Sequence, residues 1–272
     1  MSVIYRNPPL LELIVELRWG VPNFQIPVQV AVTTDPTIAQ VDAPSLNDEL
    51  LFSKFSAVAA TNGFGRSERV IPAGFPIPPY NVVVRFRPTD IKEASPLYQL
   101  GNGVFSANAL PPYKSWQEFC PKVLRGLEMM EQACKELGHN LPTFNTAIVR
   151  YIDVFREDLT KGMPAVTFIH DVLGLGLQLP EAITKASSDP DQISPMINLK
   201  IPVEAGILNI SLGQGIAGGS QGIVMDSTLV ISKNLGNSAN DAIRALTNGR
   251  GIIHEIFRGM TTKLHRDMQP ED

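Results

Sequence analysis

The segment 11–19 reads Leu-Glu-Leu-Ile-Val-Glu-Leu-Arg-Trp and carries the clearest fold signal in the chain. Apolar side chains alternate with Glu12, Glu16 and Arg18, and only Ile14 breaks the alternation. Because successive side chains of a strand point to opposite faces, the pattern predicts a strand with one buried face. On such a strand the two glutamates lie about 13 Å apart, too far for the carboxylate pair of a glycosidase. We interpret them as part of the polar face of a sheet.

Periodic patterns predict most of the remaining elements. Ser115 and Glu118 form a capping box before the longest apolar stripe, and Gly138 supplies the left-handed residue that ends a helix. The segments 21–47 and 66–80 show no sustained period, and the second is rich in proline, so we expect irregular surface chain in both. The other predicted strands are 82–87, 97–100, 104–107, 146–155, 197–203, 206–212 and 222–232, and the predicted helices are 46–60, 116–137, 164–173 and 238–265.

The predicted elements occur in a repeated order. A strand, a helix, three strands and a long helix appear in residues 1–140 and again in residues 141–272. This order predicts an α+β fold of two similar halves, each an antiparallel sheet backed by a long helix, packed side by side as one unit. The two halves share no residue-level identity, so the prediction rests on the order of elements.

The composition narrows the class of protein. The chain has 272 residues, of which 18% are charged, and its net charge is −4. Soluble domains carry about 25% charged residues, so we expect uncharged contact surfaces on this one. The net negative charge argues against a dominant nucleic-acid-binding surface, which needs a concentrated cationic patch. No run of apolar residues is long enough to cross a membrane, and we expect a cytoplasmic protein that does not bind membranes.

The residues that usually bind metals are scattered. Cys120 and Cys134 fall on one predicted helix about 21 Å apart, beyond the reach of a disulfide. The four histidines form no close cluster with them, so we expect no metal site. No nucleophile elbow and no Walker loop occurs, so the sequence predicts no catalytic residue and leaves enzymatic activity open.

One stretch matches a cofactor motif in its letters only. Residues 213–218 read Gly-Gln-Gly-Ile-Ala-Gly, a G-x-G-x-x-G pattern after a predicted strand. A dinucleotide site needs a helix N-terminus directly after the glycines, whereas residues 223–231 are typical of another strand. We therefore predict a flexible hairpin loop and no cofactor.

Two loops are the predicted contact surfaces of the protein. The proline-rich loop 66–80 and the glycine-rich hairpin 213–222 combine few charges with residues that allow a partner to approach closely. The residues that we expect to make these contacts are Phe75, Pro76, Tyr80, Gly213, Gly215 and Gly218.

The last predicted helix carries several basic residues. They suggest a cationic face, although a solvated helix side explains them better. An aromatic group formed by Tyr113, Trp116 and Phe119 could stack on bases or sugars, but two of its members lie on the apolar stripe and fit core packing better. The candidate cationic face consists of Arg244, Arg250, Arg258 and Lys263.

Three stretches together resemble one protein family. They are Asn7-Pro8-Pro9-Leu10-Leu11-Glu12 running into Glu16-Leu17-Arg18-Trp19, Pro112-Tyr113 with Trp116 and Phe119, and Arg150-Tyr151-Ile152-Asp153. Similar stretches occur in a sporadically distributed bacterial and archaeal family of about this length whose members begin with an N-P-P-L-x-E strand. The chain has Asp153 where that family usually has Asn, and Trp19 where Phe is common. The resemblance transfers no catalytic residue and implies genes found in mobile or phage-defence neighbourhoods.

Three hypotheses of function follow from these patterns. The first is a non-enzymatic subunit of a cytoplasmic bacterial assembly, such as one of phage defence, that contacts a protein partner or a second copy of itself. The alternative is a small-ligand-binding protein or an unrecognised enzyme with a pocket between sheet and helix. The third is nucleic-acid binding through the last helix, which the overall charge opposes.

Overall fold

One antiparallel sheet of nine strands forms the frame of the molecule. The structure, a computed structural model, describes residues 4–20, 46–233, 235, 236 and 238–271. Within those residues the strand order is β2-β3-β4-β5-β1-β6-β9-β8-β7. The strands are β1 (Leu10–Trp19), β2 (Arg66–Arg69), β3 (Val82–Arg87), β4 (Leu97–Gly101), β5 (Val104–Ala109), β6 (Phe144–Phe155), β7 (Met196–Val203), β8 (Gly206–Ala217) and β9 (Ser220–Ile231).

The helices include two long ones and several short ones. A π-helical turn follows α4 at Phe168–Val172, and 3₁₀ turns occur at Pro190–Gln192 and Thr262–Leu264. The helices are α1 (Leu46–Thr61), α2 (Trp116–Glu136), α3 (Glu157–Thr160), α4 (Ala165–Thr167), α5 (Glu181–Ala186) and α6 (Ala239–Met260).

The alternation of β1 has the predicted consequence. Leu13, Val15 and Leu17 are buried, whereas Glu12 and Glu16 on the opposite face are partly exposed. The Glu16 carboxylate accepts a hydrogen bond from the Nε of Arg18 at 2.5 Å. The interpretation of these charges as the polar face of a sheet is therefore confirmed.

The α+β class is confirmed, but the prediction of two separate sheets is not. β1 pairs antiparallel with β5 on one side and with β6 on the other, in a register that runs from Leu10↔Asp153 to Trp19↔Phe144. A strand with an unpaired edge exposes a row of backbone N–H and C=O groups, and pairing satisfies them. Because β1 and β6 satisfy each other's edges, the strands of residues 1–140 and 141–272 form one continuous sheet.

The long helices pack on one sheet face through close contacts. The Ser115 hydroxyl caps α2 by accepting a hydrogen bond from the Glu118 amide at 3.3 Å, as the capping box predicts. A Cβ atom at Gly126 of α2 would lie 2.7 Å from ring atoms of Tyr98 and Phe105, so glycine lets this helix approach the sheet. The Trp116 indole donates a hydrogen bond to Thr247 at 3.2 Å and links α2 to α6.

The prediction of a flexible loop at 213–222 is wrong. β8 and β9 pair throughout most of this segment, including Gly215 opposite Gly222, and only Gly218 and Gly219 form the turn. A Cβ at Gly222 would lie 2.4 Å from the Phe155 carbonyl oxygen. Gly222 is therefore required by close packing within the sheet. A sequence pattern does not distinguish a glycine of this kind from a glycine in a loop.

Several predicted boundaries also differ from the structure. The loop 66–80 begins with the short edge strand β2, whose residues are all exposed. The predicted helix 164–173 is divided into α4 and the π-helical turn, in which Phe168 and Ile169 are buried. The last helix ends at Met260 and continues as a 3₁₀ turn. Most of the predicted irregular segment 21–47 lies outside the described residues.

Candidate ligand-binding cavity

A cavity of about 80 Å³ lies between β6 and α6. The chain before β1 and the residues just before α2 complete its walls. Its apolar lining includes Pro9, Leu10, Ile253 and Phe257. Its polar lining consists of Tyr5, Lys114 and six residues that we call the cavity cluster, which are Tyr113, Ser115, Tyr151, Asp153, Arg250 and His254.

Regular secondary structure positions most of the cavity cluster. Tyr151 and Asp153 are two residues apart on β6 and therefore share its helix-covered face. Arg250 and His254 lie one turn apart on α6, with Ile253 and Phe257 on the same side. The spacing of four α6 residues, i, i+3, i+4 and i+7, thus directs one helix face at the cavity.

Three buried polar atoms in this cavity form no hydrogen bond of normal geometry with the described residues, although two of them, the tyrosine hydroxyls, lie close enough to each other and to Arg250 for an electrostatic interaction. They are the hydroxyl oxygens of Tyr113 and Tyr151 and the Nε2 of His254. Leaving a buried donor or acceptor unsatisfied costs about 1–3 kcal/mol. Polar groups of this kind are normally paired with protein, water or a ligand, so their convergence makes the cavity the candidate site for a polar molecule.

The two phenols are held in their protonated form. Burial is the main reason that the pKa of Tyr113 lies above its ordinary value, and its neighbour Tyr151 adds to the shift. Burial also raises the pKa of Tyr151, while Arg250 opposes the shift. Both groups therefore remain hydroxyls at neutral pH and can donate hydrogen bonds to a ligand.

Asp153 brings a carboxyl group to the same cavity. Its side chain is only 3% exposed. Burial, with a smaller contribution from the negative charge of Asp226, raises the pKa of Asp153 to about 7. Asp226 itself is paired with Arg150, whose Nε lies 3.0 Å from both carboxylate oxygens. Asp153 therefore takes up or releases a proton near neutral pH.

His254 stays neutral over the same range. Burial, with smaller contributions from the positive charges of Arg250 and Arg258, lowers its pKa to about 4. A neutral imidazole carries one donor and one acceptor nitrogen. With His254 uncharged, the cavity carries the positive charges of Arg250 and Lys114, and below the pKa of Asp153 it favours an anion.

The volume limits the size of what the cavity can hold. A single water molecule needs a cavity of about 10–15 Å³, and a cavity of about 150 Å³ accepts benzene. The 80 Å³ observed here fits a few waters or a polar group of a few heavy atoms. A carboxylate has a suitable size and pairs well with a guanidinium.

The predicted contact residues of the proline-rich loop lie away from this cavity. Phe75 is 60% exposed, and Pro76 is exposed beside it. Tyr80 is half-buried, and the Arg18 guanidinium lies 4.7 Å from its ring centroid. Its hydroxyl donates to the Gly20 carbonyl at 3.4 Å, which places Tyr80 beside the end of β1.

The predicted contact residues of the hairpin lie at the other end of β1. Gly213 and Gly215 belong to β8, and Gly218 forms the turn within contact distance of the Leu11 side chain. Leu11 and Arg18 are separated by about 23 Å of strand. The structure therefore does not bring the two predicted surfaces together.

The predicted cationic residues lie on α6 and the turn after it. Arg244 and Arg250 are six residues apart, which separates them by about 120° around the helix. Arg250 lines the cavity, and Arg244 pairs with Asp241 at 3.0 Å. Lys263 lies beyond α6 and donates to the Asp171 carbonyl oxygen, and Arg258 is exposed. The four residues therefore spread over a broad arc of α6 and the turn after it, and the cationic face stays a prediction.

Two of the three residues of the aromatic group lie in the core. Trp116 and Phe119 are buried in the core, as expected, whereas Tyr113 is half-buried and reaches the cavity. Cys120 and Cys134 are both free thiols on α2. Across residues 4–20 and 46–271, apart from 234 and 237, no cluster of three or more His, Cys, Asp or Glu could hold a metal ion. No helix in those ranges is long and apolar enough to span a membrane.

Sequence patterns named most of the cavity cluster for other reasons. Tyr151 and Asp153 belong to the stretch that carries the family resemblance, and Arg250 was placed on the cationic face. His254 lies beside Glu255, but neighbours in the chain rarely face each other on a helix, so this pair predicts no site. A sequence signal did exist, since Arg250 and His254 are polar residues next to the apolar stripe of a helix and one turn apart.

Comparison of the chain with protein-family models, curated proteins and solved structures found no significant match.

Proposed function

We propose that the protein binds a small anionic ligand, with a carboxylate or a similar oxyanion group, in the cavity between β6 and α6. The convergence of the unpaired Tyr113 and Tyr151 hydroxyls beside Arg250 supports this proposal more than any other observation. A guanidinium and two hydroxyl donors match the acceptor oxygens of an anion, and apolar walls strengthen such contacts.

Calorimetry with small anions tests the proposal. Acetate, formate and inorganic phosphate are titrated into the protein, and we expect at least one to bind. Removing the Tyr151 hydroxyl with Tyr151→Phe should weaken binding by about tenfold, the usual loss for one hydrogen bond to a charged group. Arg250→Gln removes the positive charge and should weaken it further. Arg244→Gln, an exposed change on the same helix, is the control. Equal binding by all four proteins, or no binding by any anion, would overturn the proposal.

A second candidate function is protein–protein contact, in which the chain serves as a non-enzymatic subunit of a cytoplasmic assembly. Phe75 and Ile216 support it, because they are 60% and 74% exposed on the two predicted contact surfaces. Light scattering after size exclusion should show self-association that Phe75→Ser or Ile216→Ser weakens, with Ile91→Ser, at another exposed position, as the control. A monomer at high protein concentration, with no partner that co-purifies, would remove this candidate.

We also infer that residues 1–140 and 141–272 are two similar halves within the one sheet, as the order of predicted elements suggests. The strand order supports this, since it runs β1-β5-β4-β3 outward from the centre on one side and β6-β9-β8-β7 on the other. Superposition of the first set of strands with α2 on the second set with α6 tests the inference. A position of α6 that differs from that of α2 after the strands are matched would contradict it.

A further inference from the structure

A larger groove adjoins the cavity. This groove, which we call the basic groove, has a volume of about 450 Å³ and shares Tyr113, Lys114 and Ser115 with the cavity lining. Its volume lies within the range of about 300–1,000 Å³ that is typical of ligand pockets. The cavity and the basic groove therefore meet at the residues just before α2.

The charge of the basic groove is opposite to that of the whole chain. Four basic residues, Lys92, Lys114, Lys122 and Arg125, line it together with only two acidic ones, Glu93 and Glu118. The three lysines are exposed. None of them forms a salt bridge among the described residues. A groove with excess positive charge in a protein of net charge −4 complements an acidic ligand.

The N-terminus of α2 adds to the positive potential at the junction. Ser115 is the cap of this 21-residue helix, and it lines both the cavity and the basic groove. Helix N-termini attract anions through their free N–H groups and the helix dipole. The buried, unpaired Tyr151 hydroxyl in the adjoining cavity independently indicates that a polar ligand group binds on this side of the molecule.

The lining of the basic groove suits a peptide better than a nucleic acid. Phe64, Pro96 and Phe119 are buried, and Pro112 is exposed beside them, so apolar surface lies under the charged rim. Binding of single-stranded nucleic acid relies on aromatic rings that bases can stack on. The Phe64 ring is covered by the Arg125 guanidinium, 5.8 Å from its centroid, and Phe119 is only 2% exposed, so neither ring offers a free face.

We propose that the ligand is the C-terminal end of an acidic peptide, whose terminal carboxylate enters the cavity while its preceding acidic side chains lie along the basic groove. This inference rests on the proposed function, because it assigns the anion of the cavity to a peptide terminus. Capture of a C-terminal carboxylate is an established mode of peptide recognition. It also joins the cavity to the hypothesis of contact with a protein partner.

Calorimetry with the full-length protein and short unlabelled peptides tests the inference. The probe is Gly-Asp-Glu-Glu-Leu with a free C-terminal carboxylate, compared with its C-terminal amide, with Gly-Lys-Lys-Lys-Leu and with acetate. We expect the free acidic peptide to bind about tenfold or more tightly than each of the other three. Its affinity should fall as sodium chloride is raised, because exposed charges are screened by salt.

Variants separate the basic groove from the cavity. Lys92→Glu combined with Lys122→Glu should weaken the binding of the acidic peptide by about tenfold and leave the binding of acetate unchanged. Lys135→Glu combined with Lys185→Glu alters the net charge equally at exposed sites on α2 and α5, outside the groove lining, and should have little effect. Tyr151→Phe should weaken the binding of both the peptide and acetate.

The possible failures are distinguishable. If acetate binds but the acidic peptide binds no more tightly than acetate or its own amide, the peptide inference is wrong and the small-anion proposal stands. If neither binds, both are wrong. If an acidic oligonucleotide displaces the peptide and binds more tightly than it, the basic groove serves nucleic acid, and the peptide inference is overturned.

Discussion

Asp153 places a carboxyl group where the sheet meets α6, and its environment opposes ionisation. Because burial raises its pKa to about 7 from an ordinary value of 3.8, the folded protein keeps this proton over a range in which the unfolded chain releases it. The stabilising effect is fully present below pH 3.8 and is lost as the pH rises through 7. The loss is on the order of 4 kcal/mol at most.

Replacing Asp153 by Asn should remove this pH dependence. Asn has nearly the same shape and cannot ionise, so Asp153→Asn should be more stable than the wild type at about pH 8 and close to it at about pH 4. Urea unfolding at several pH values measures the difference in the free energy of unfolding. The prediction is wrong if both proteins lose stability in parallel as the pH rises.

His254 should produce the opposite dependence in acid. Burial lowers its pKa from 6.5 to about 4, so the unfolded chain binds a proton before the folded protein does. Its contribution to stability is present above pH 6.5 and is lost as the pH falls towards 4. His254→Gln should therefore flatten the fall in melting temperature between about pH 6.5 and 4. His139→Gln, at an exposed position after α2, is the matched control, and an equal effect of both substitutions would contradict the prediction.

At the scale of residues, sequence patterns pointed to several of these residues but did not indicate that they share a cavity. Tyr151 and Asp153 stand out in the sequence only as part of the stretch 150–153, which resembles a family motif. Arg250 stands out only as a member of the candidate cationic face, whereas the structure places it in the cavity lining. Their common cavity depends on residues from four separated parts of the chain, and no local period records that proximity. The pKa values of Asp153 and His254 depend in the same way on burial by distant segments.

At the scale of elements, glycine marks where α2 approaches the sheet. A Cβ atom at Gly126 would meet the rings of Tyr98 and Phe105 at 2.7 Å, and both rings are fully buried. Gly251 of α6 is exposed and has no atom within 4 Å of such a Cβ. The two positions therefore predict opposite outcomes for the same substitution.

Gly126→Ala should destabilise the protein by about 1–3 kcal/mol, the usual cost of adding atoms to a filled core. Gly251→Ala should stabilise it by up to about 1 kcal/mol, because alanine loses less backbone entropy in a helix. Thermal and urea unfolding of both variants measures these changes. A stabilising Gly126→Ala would show that α2 can move away from the sheet without cost.

The elements whose apolar residues recur at a regular spacing were the most predictable. β1 and α2 follow their alternation and their apolar stripe, because each buries one face along its whole length. The segment 213–222 was misread because Gly215 and Gly222 face each other inside a paired hairpin. The short α3, α4 and α5 were missed or merged, since helices of this length depend on tertiary packing.

At the scale of the whole molecule, the pairing of β1 with β6 joins the two parts of the chain. The register covers most of both strands, and α2 and α6 are linked by the bond from Trp116 to Thr247. Unfolding one part alone would expose a long strand edge and the apolar faces that it covers. We therefore expect residues 1–140 and 141–272 to unfold together.

Urea unfolding followed by two probes tests this cooperativity. Tryptophan fluorescence reports the surroundings of Trp19 and Trp116, which lie in residues 1–140 and contact Phe144 and Thr247 of residues 141–272. Far-ultraviolet circular dichroism reports the whole chain. The two curves should coincide in one transition. Two separated transitions, with fluorescence following only one of them, would show that the parts are independently stable.

The sequence by itself determined the α+β class, the alternation of β1 and the long helix α2, because the period of apolar residues along a segment reports which of its faces is buried. Only the tertiary structure decided that the strands form one sheet and that Tyr113, Tyr151, Asp153, Arg250 and His254 line one cavity. The physical reason is that strand pairing and cavity formation depend on contacts between segments far apart in the chain. Backbone hydrogen bonds can join any two strand edges, so the side-chain pattern of β1 does not specify that its partner is β6.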